Sequence, residues 1–560
     1  MSGTAQQTGP EEYSSQLAIA LIELDLLREL VDGSFRFIKS HCRENNRFDK
    51  NRLDDFQLLS YDLAVCVAEI SAAKSLLKYA LKLSKNKLVA KIALVFAGDN
   101  YQIVLQRLLA RSEESAGNSK ELLGLYEKPS VRELLGYTAA QVLEQIGREI
   151  TGGDIARLPS TLDDEKELMR ETFYRFTNDV VVPLAEEIHR QDQDIPEAII
   201  RPAAELGCFG TCIPERFGGL QPDNSSDSLG MIVVTEELSR GSLGAAGSLI
   251  TRPEIAARAL LAGGTEKQKN KWLPALAKGE ILCAISITEP NTGSDVAAVS
   301  LKATPTKGGW LLNGSKTWCT FAGRSELIVV LARTNSDMTL GYKGLSMFLL
   351  QKVSYLGHTF RHEQKRGGSL TGKAIPTLGY RGMHSYDLFF ENYFVPAENL
   401  VGEKKGEGKG FYYTMAGFSG GRIQTAARAT GVMQAAYEKA LSYANERVVF
   451  DKPLGEFQLT QVKLVRMLAT ITASRQFSYD VASLLDEGKG QMEASLIKLF
   501  ACRAAEWITR EAMQIHGGMG YAEENAVSRY FADARVLSIF EGTEEVLALK
   551  VIARELIAAA

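Results

Sequence analysis

The sequence predicts a multidomain, mainly α-helical protein with a central β-domain. Apolar residues recur at three- and four-residue spacings over most of residues 15–280 and again beyond residue 398, with charged residues between them. Between residues 281 and 397 the pattern changes to short alternating or apolar runs bounded by Gly, Pro, Asn and Asp, which is typical of strands. The expected order is therefore helices, a β-domain and helices again, preceded by an additional helical region.

Four domains follow from these changes of period, at residues 1–150, 151–280, 281–397 and 398–560. Within the first, Phe56-Gln57-Leu58 recurs as Phe457-Gln458-Leu459, and four further Leu, Ile and Ala positions match at the same offset. We interpret the first domain as a degenerate copy of the last. It contains nothing like the C-terminal Gly and Glu motifs described below, so we expect it to be structural rather than catalytic.

Composition excludes several classes of function. The 560 residues are 45% hydrophobic and 24% charged with a formal net charge of -4, so no overall field favours nucleic acid or an anionic membrane. The seven scattered cysteines form no CxxC pair and the six histidines show no HExxH spacing, so we expect reduced thiols and no metal site. The N-terminus lacks a signal-like segment and no apolar run approaches membrane-spanning length, so a cytoplasmic location without membrane partners is expected.

Two stretches of the β-domain carry polar groups suited to a ligand. Ser286-Ile287-Thr288-Glu289 leads into a Gly-containing turn that ends at Ser294-Asp295, where hydroxyls and backbone N–H groups could meet a ring edge or a phosphate. Further on, Asn313-Gly314 is a tight-hairpin signal. Alternation after it places Trp318 and Thr320 on one face, where they could bind a flat heteroaromatic, although Trp in strands is usually a core residue.

Two C-terminal stretches are equally distinctive. Gln514-Ile515-His516-Gly517-Gly518 ends a predicted helix, and its simplest interpretation is a glycine C-cap. Phe540-Glu541-Gly542-Thr543 places a carboxylate after an apolar run, where a raised pKa would make Glu541 a base near neutral pH. The alternative is a surface glutamate at a helix start. There is no GxGxxG after a strand and no GxxxxGK[ST], so any nucleotide is bound by another route.

Together and in this order, these stretches resemble the acyl-CoA dehydrogenase family of flavoenzymes. The resemblance covers roughly residues 160–560 and rests on Ile-Thr-Glu-Pro-x-x-Gly-Ser-Asp, Asn-Gly-x-Lys-x-Trp-x-Thr, Gly-Gly-Arg at 420–422, Glu-Arg-x-x-Phe at 446–450, Phe-Gln, Gln-Ile-His-Gly-Gly and Phe-Glu-Gly-Thr. It implies N-terminal helices, a β-barrel-like middle domain and a C-terminal four-helix bundle, to which this chain adds an N-terminal helical domain.

The resemblance implies FAD as the cofactor and an acyl-CoA thioester as the substrate. The cofactor contacts that it implies are Ile287, Thr288, Ser294, Trp318, Thr320, Arg447, Phe450, Gln458, Gln514, Gly517, Gly518, Thr543 and Glu545. Those from Arg447 to Gly518 would hold the ADP half of FAD across a dimer interface. Ser294 would also contact the pantetheine arm, and Arg422 matches a substrate-side arginine. Ser419 departs from the Asp that many relatives carry there.

The catalytic base implied by the resemblance is Glu541. Most family members use the Glu of the Glu-Gly-Thr motif, and a few use a Glu just before the arginine that corresponds to Arg422. In this chain that second position is Gly421, which cannot accept a proton. Glu541 is therefore expected to take the α-proton.

The substrate is expected to carry a free carboxylate on its acyl tail. The added N-terminal domain is unusual in the family and is similar to that of members with such a branched substrate. Arg252, helped by Thr251, falls by rough alignment at the acyl-tail end, where a cation is needed in an apolar pocket. The alternative is a solvated helix-end arginine. Residues 362–378 are an insertion relative to shorter relatives and are expected to form a surface loop.

The resemblance also implies partners. The reduced cofactor would pass its electrons to an electron-transfer flavoprotein, unless the chain is an acyl-CoA oxidase or a non-catalytic scaffold descended from the family. Another short- or branched-chain specificity also remains open. A homodimer is favoured over a tetramer, because in relatives with an added helical domain that domain covers the dimer–dimer surface.

Overall fold

The structure is a computed structural model that describes residues 10–44, 47–48, 50–115, 117–418 and 420–560. Ser419 lies outside these described residues. The chain divides into two compact units. The first comprises Met1–Asp163, Met433–Leu484 and Gly490–Ala560, and the second comprises Asp164–Val432 and Leu485–Lys489.

The first unit is helical throughout its described part, apart from two short two-stranded ladders. Its N-terminal helices are Pro10–His41, Gln57–Lys82, Lys87–Ala110, Ser119–Gly124, Pro129–Gly136 and Ala140–Gly152. Its C-terminal helices are the end of Gly421–Glu446, most of Gln458–Asp486, then Gln491–His516, Gly518–Tyr521, Ala526–Leu537, Glu544–Val546, the π-helix Leu547–Ala553 and Arg554–Ala559.

The order of elements in this unit repeats. A long helix, a two-stranded ladder, a 3-10 turn and two further long helices occur first in Pro10–His41, Arg43–Glu44 with Arg47–Phe48, Lys50–Phe56, Gln57–Lys82 and Lys87–Ala110. The same order recurs in Gly421–Glu446, Val448–Val449 with Lys452–Pro453, Leu454–Glu456, Gln458–Asp486 and Gln491–His516. Gln57 and Gln458 of the repeated Phe-Gln-Leu each begin a helix. An internal copy would produce this order, and the copy and its boundaries stay predictions.

The added N-terminal helices pack directly on the C-terminal helices of the same unit. Arg466 binds Asp99 through both Nε and an Nη, at 2.8 and 2.9 Å. Phe96 and Phe500 meet edge to face with ring centroids 6.1 Å apart. Arg503 donates to the Tyr61 hydroxyl at 2.6 Å, and that hydroxyl donates to Glu544 at 3.1 Å. Apolar and polar contacts thus hold the two parts of the chain as one body.

Two helices of this unit are long and apolar enough to cross a membrane by length and composition alone. They are Arg52–Lys82, counted with its preceding turn, and Lys87–Ala110. The expectation that no apolar run approaches that length is therefore wrong. Their most apolar windows are 67% and 78% buried within the structure, as in the core helices of globular proteins.

The second unit contains an eight-stranded sheet and most of the remaining helices. The helices are Asp164–Phe176, the π-helix Thr177–Val181, Val182–Arg190, Glu197–Glu205, Ser228–Gly241, the π-helix Leu243–Gly247, Thr251–Gly263, Glu266–Ala277, Gly410–Phe418 and the start of Gly421–Glu446. Along the sheet the strands follow the order Cys283–Ser286, Leu327–Arg333, Lys302–Thr306, Gly309–Thr320, Ser385–Pro396, Ser369–Ala374 and Thr359–Glu363. Leu345–Gln351 also pairs with Leu327–Arg333. Alternate residues of these strands, including Leu312, Ile328, Phe348 and Leu388, form the core.

Asn313-Gly314 does not make the predicted hairpin. Both residues lie inside the continuous strand Gly309–Thr320. The Asn313 side chain accepts from the Asn392 N–H at 2.8 Å and donates to the Asn392 carboxamide at 3.2 Å. These two hydrogen bonds connect the strands at an irregularity of the neighbouring strand, where the register shifts between Phe390 and Tyr393. The asparagine therefore serves pairing between strands rather than a turn.

Residues 362–378 are not the expected surface loop throughout. Thr359–Glu363 pairs antiparallel with Ser369–Ala374 and extends the sheet by two strands. Gly367 and Gly368, with φ of 80° and 98°, make the turn between them. Phe360 and Leu370 point into the core and are buried. Phe360 lies between the exposed Thr359 and Arg361, and this local alternation was the strand signal.

Candidate active site

The first polar stretch leaves the sheet directly beside the second. The strand Cys283–Ser286 ends before Ile287, which is buried, and Thr288, which is half-buried. The Thr317 N–H donates to the Thr288 carbonyl at 2.9 Å. The structure therefore brings the Ile287-Thr288 segment against the strand that carries Trp318. Ser294, after the turn, is exposed.

A buried ion pair joins the two stretches. Lys316 donates to the Glu289 carboxylate at 2.9 Å and to the Ile287 carbonyl at 2.7 Å. Glu289 also accepts from the N–H groups of Ser300 and Leu301, each at 2.8 Å. Burial lowers the pKa of Lys316 to about 8. Burial also raises the pKa of Glu289, but the Lys316 charge and these hydrogen bonds outweigh it and hold that pKa below its ordinary value.

Trp318 is a surface residue, not a core residue. Its side chain is 55% exposed and its φ is 55°, an unusual conformation for a bulky residue. Its neighbour Cys319 is fully buried. Thr320, half-buried on the same strand, has its hydroxyl 2.9 Å from that of Ser385. A large aromatic presented in this way is suited to stack on a planar ligand.

Glu541 lies in a left-handed turn before the last helices. Its φ is 55° and that of Gly542 is 97°, and Glu541 is half-buried. The next helix begins at Glu544, after the N-cap residue Thr543, whose hydroxyl accepts from the Val546 N–H at 3.3 Å. Glu541 is therefore outside the helix, unlike the surface glutamate of the alternative interpretation. Glu545 is exposed in the first turn.

Lys498 holds this turn in place, and the sequence interpretation missed it. Its side chain is 1% exposed and donates to the carbonyls of Phe540 and Gly542, at 2.7 and 2.5 Å, on either side of Glu541. Such contacts fix a backbone that would otherwise cost strain energy. The available signal was a lysine inside the apolar run Leu496-Ile497-Lys498-Leu499-Phe500.

Most residues expected to hold the ADP half of the cofactor lie on the surface of the first unit. Arg447, Gln514, Gly517 and Gly518 are exposed, and Phe450 is 90% exposed. Gly517 is also the C-cap that its position suggested, since its N–H donates to the Gln514 carbonyl. Gln458, at the start of its helix, donates instead to Glu144 of the added domain at 2.8 Å.

Arg252 is buried, which overturns the alternative of a solvated helix-end arginine. It is 8% exposed and donates to the Ser248 carbonyl at 3.1 Å and the Tyr380 hydroxyl at 3.0 Å. Neither partner is charged, and no described residue offers it a carboxylate. The adjacent Thr251 hydroxyl is fully buried without a hydrogen-bond partner.

Arg422 and Gly421 begin the helix Gly421–Glu446, where Arg422 is half-buried. Two turns of this helix further on, Arg428 is fully buried and donates to the Ser248 hydroxyl at 3.2 Å. Ser248 thus links two buried arginines, Arg428 through its hydroxyl and Arg252 through its carbonyl.

Three family models match consecutive parts of the chain. They are the acyl-CoA dehydrogenase N-terminal domain at residues 163–280, the middle domain at 284–393 and the C-terminal domain at 408–557. The chain belongs to the acyl-CoA dehydrogenase family and has that fold, with extra helices at its N-terminus. It is an oxidoreductase that acts on the CH–CH group of acyl-CoA, in a family of flavoproteins.

One curated relative is (2S)-methylsuccinyl-CoA dehydrogenase from Cereibacter sphaeroides. It is 46% identical over 399 residues, which cover 71% of this chain and 70% of the relative.

Solved structures agree on the fold. Butyryl-CoA dehydrogenase from Megasphaera elsdenii is 33% identical, with a TM-score of 0.65 over 71% of this chain and 100% of that one. A glutaryl-CoA dehydrogenase in complex with glutaryl-CoA is 30% identical, with a TM-score of 0.65 over 72% and 98%. A structure described as the electron transferring flavoprotein of Acidaminococcus fermentans is 30% identical, with a TM-score of 0.63 over 71% and 99%.

The residues present fit a flavin nucleotide. Trp318 offers an exposed aromatic face beside the Thr320 hydroxyl. At Gly517 and Gly518 an added Cβ would meet nothing within 4 Å, so the backbone there is open to a ligand or a partner. Exposed Phe450 and Arg447 supply an apolar and a cationic contact.

Proposed function

We propose that the protein catalyses the FAD-dependent α,β-dehydrogenation of methylsuccinyl-CoA to mesaconyl-CoA, a step of the ethylmalonyl-CoA pathway. The observation that carries the substrate assignment is Arg252, a buried cation with only neutral described partners. A substrate carboxylate is the group that would compensate it. The 46% identity to a methylsuccinyl-CoA dehydrogenase supports the same substrate.

In the proposed reaction Glu541 accepts the α-proton of the thioester. That proton is weakly acidic, and its removal requires stabilisation of the oxyanion that develops on the thioester oxygen. The backbone N–H of Glu541 would donate to this oxygen. Lys498 supports both roles, because it fixes the carbonyls on either side of Glu541 and so restricts the turn.

FAD, when bound, supplies a hydride acceptor for the β-carbon. Trp318 and Thr320 would pack against its ring system, with Ile287 and Thr288 along another edge. Ser294 would contact its pyrophosphate and the pantetheine arm, and Thr543 and Glu545 would contact it beside the catalytic turn. Arg447, Phe450, Gln458, Gln514, Gly517 and Gly518 would hold its ADP half in a dimer. All six residues are exposed in the single chain, although Gln458 also donates to Glu144, and their exposure supports a role at an interface.

Arg252 would bind the acyl-tail carboxylate, and the Thr251 hydroxyl would donate a further hydrogen bond to it. A charge-assisted, paired interaction of this kind is among the stronger polar contacts in proteins. Arg422 would contribute on the substrate side. Butyryl-CoA, which lacks the carboxylate, would leave Arg252 buried without an anion.

Electrons would pass to an electron-transfer flavoprotein, and the assembly would be a homodimer. The solved structure described as an electron transferring flavoprotein is among the relatives in fold. The packing of the added helices on Arg466, Phe500 and Arg503 supports a covered C-terminal surface.

The test is a panel of acyl-CoA thioesters with and without a terminal carboxylate, assayed with an artificial electron acceptor. The wild type should prefer methylsuccinyl-CoA to butyryl-CoA. Arg252→Ala should lose this preference by about tenfold or more, as expected for a lost charged hydrogen bond, and Arg252→Lys should restore part of it. An unchanged preference in Arg252→Ala would reject the assignment.

A further inference from the structure

Two histidines and two aspartates, separated in sequence, meet at one edge of the second unit. Asp192 follows the helix Val182–Arg190, His358 precedes the strand Thr359–Glu363, and His384 precedes the strand Ser385–Pro396. One Asp192 oxygen is 3.0 Å from His358 Nε2, and the other is 3.2 Å from His384 Nε2. The three potential ligand atoms all lie within 4.8 Å of one another.

A second carboxylate orients the buried histidine. His384 Nδ1 is 3.1 Å from an Asp194 oxygen, and the other Asp194 oxygen accepts from the Gly357 N–H at 2.5 Å. With the proton on Nδ1 donated to Asp194, the Nε2 lone pair of His384 faces Asp192. Metal-binding histidines characteristically donate their other ring N–H to a carboxylate in this way.

The spacing suits a tetrahedral ion. Ligands about 2.0–2.1 Å from a zinc ion in a tetrahedron lie about 3.3 Å from one another. Each imidazole has one Asp192 oxygen near that distance, 3.0 Å for His358 and 3.2 Å, to the other oxygen, for His384. His384 is buried, whereas the His358 side chain is 50% exposed, so an ion could enter from solvent and keep a water as its fourth ligand. Arg381 is nearby, with Nε 3.9 Å from Asp192, but it donates to the His189 carbonyl at 3.0 Å.

We propose that Asp192, His358 and His384 bind a divalent transition-metal ion of the zinc class, with Asp194 orienting His384. Imidazole nitrogens with one carboxylate favour such ions over Mg²⁺ and Ca²⁺, which prefer oxygen ligands. The ion joins the segment after Val182–Arg190 to the sheet. It also braces the end of the strand that carries Trp318 and Thr320, because the His384 carbonyl accepts from the Phe321 N–H at 2.8 Å.

The experiment uses untagged, full-length protein carrying its flavin, freed of metal by chelation. Zn²⁺ is titrated against a chromophoric chelator, and Co²⁺ is added separately to record its visible absorption. The wild type should bind one Zn²⁺ per protomer with a Kd below about 10 µM, raise its Tm on binding, and ignore Mg²⁺. Co²⁺ should give the intense visible bands of a tetrahedral site.

The variants locate the ion. His358→Gln and Asp192→Asn should abolish binding, and Asp194→Asn should weaken it about 10- to 100-fold by releasing the orientation of His384. His362→Gln is the matched control, since His362 lies on the strand Thr359–Glu363, four residues after His358, and contacts only Tyr355 and Tyr393 among described rings. It should bind as the wild type does. His358→Gln changes a half-exposed residue, and its flavin spectrum and circular dichroism check that it is folded.

Two results would overturn the proposal. One is the lack of stoichiometric Zn²⁺ binding by the wild type at about 1 mM. The other is a mismatch with the variants. Binding that survives in both His358→Gln and Asp192→Asn, or that is lost equally in His362→Gln, would place the ion elsewhere and leave this cluster as hydrogen-bonded ion pairs only.

Discussion

At the scale of single residues, a buried lysine governs the turn that carries the proposed base. Glu541 and Gly542 both have positive φ, and only Gly adopts this conformation without strain. The two hydrogen bonds from Lys498 compensate that strain and hold both the Glu541 side chain and its backbone N–H in position.

Lys498→Met should therefore reduce turnover while the protein stays folded. Two partly buried carbonyls lose their donor, and a small displacement of the turn is costly for proton transfer, so kcat should fall about 10- to 100-fold. Steady-state kinetics with the preferred thioester measure it. Lys550→Met, which removes an exposed lysine paired with Asp54, is the control and should retain activity. Equal kcat values in both variants would show that the turn does not depend on Lys498.

The ion pair between Glu289 and Lys316 gives a second prediction at this scale. Glu289→Gln leaves Lys316 buried without its anion, which should cost about 3–5 kcal/mol of stability at neutral pH. The double variant Glu289→Gln/Lys316→Met should recover part of that loss. Chemical denaturation measures both.

The pH dependence of that loss has a definite sign. The pKa of Glu289 in the folded protein is lower than its ordinary value of 4.5. Its stabilisation is therefore fully present above about pH 4.5 and disappears as the pH falls through the folded-state pKa. The difference in unfolding free energy between wild type and Glu289→Gln should shrink on acidification below that pH. A difference that stays constant would contradict the ionised pair.

At the scale of elements, periodicity predicted the order of helices and strands. Some local sequence signals, however, have a different structural role from the one expected. Asn-Gly is a strong hairpin signal, yet Asn313 serves an irregular strand pair 79 residues away in sequence, and local chemistry does not contain that partner. Phe360 does lie between two exposed residues, as in a strand, but the charged and Gly residues between Phe360 and Leu370 suggested a loop.

The residues of the candidate site were likewise predictable only in part. Motif residues such as Trp318, Thr320 and Glu541 could be identified because each stands in a short, specific stretch. Lys498 stood out only as a lysine inside an apolar run, and its role could not be predicted because its partners are backbone carbonyls more than 40 residues away. The cluster of Asp192, His358 and His384 also escaped detection, since its members converge only in the folded unit and no ligand spacing exists along the chain.

At the scale of the whole molecule, the added N-terminal helices share a unit with the C-terminal helices. The packing of the added helices occupies surface on Arg466, Phe500 and Arg503. Since the family resemblance implies that an added domain covers the dimer–dimer surface, we expect the full-length protein to be a dimer. Light scattering of the flavin-containing protein measures the mass. A stable tetramer would show that the added helices leave the second interface free.

We propose that Glu541 removes the α-proton of a carboxylate-bearing acyl-CoA, with FAD, when bound, supplying the hydride acceptor. The most direct measurement is the anaerobic loss of flavin absorbance after rapid mixing with methylsuccinyl-CoA, in the wild type and in Glu541→Gln. The wild type should bleach rapidly, and Glu541→Gln, with its flavin retained, should bleach about a hundredfold or more slowly. Equal rates in the two proteins would contradict the claim.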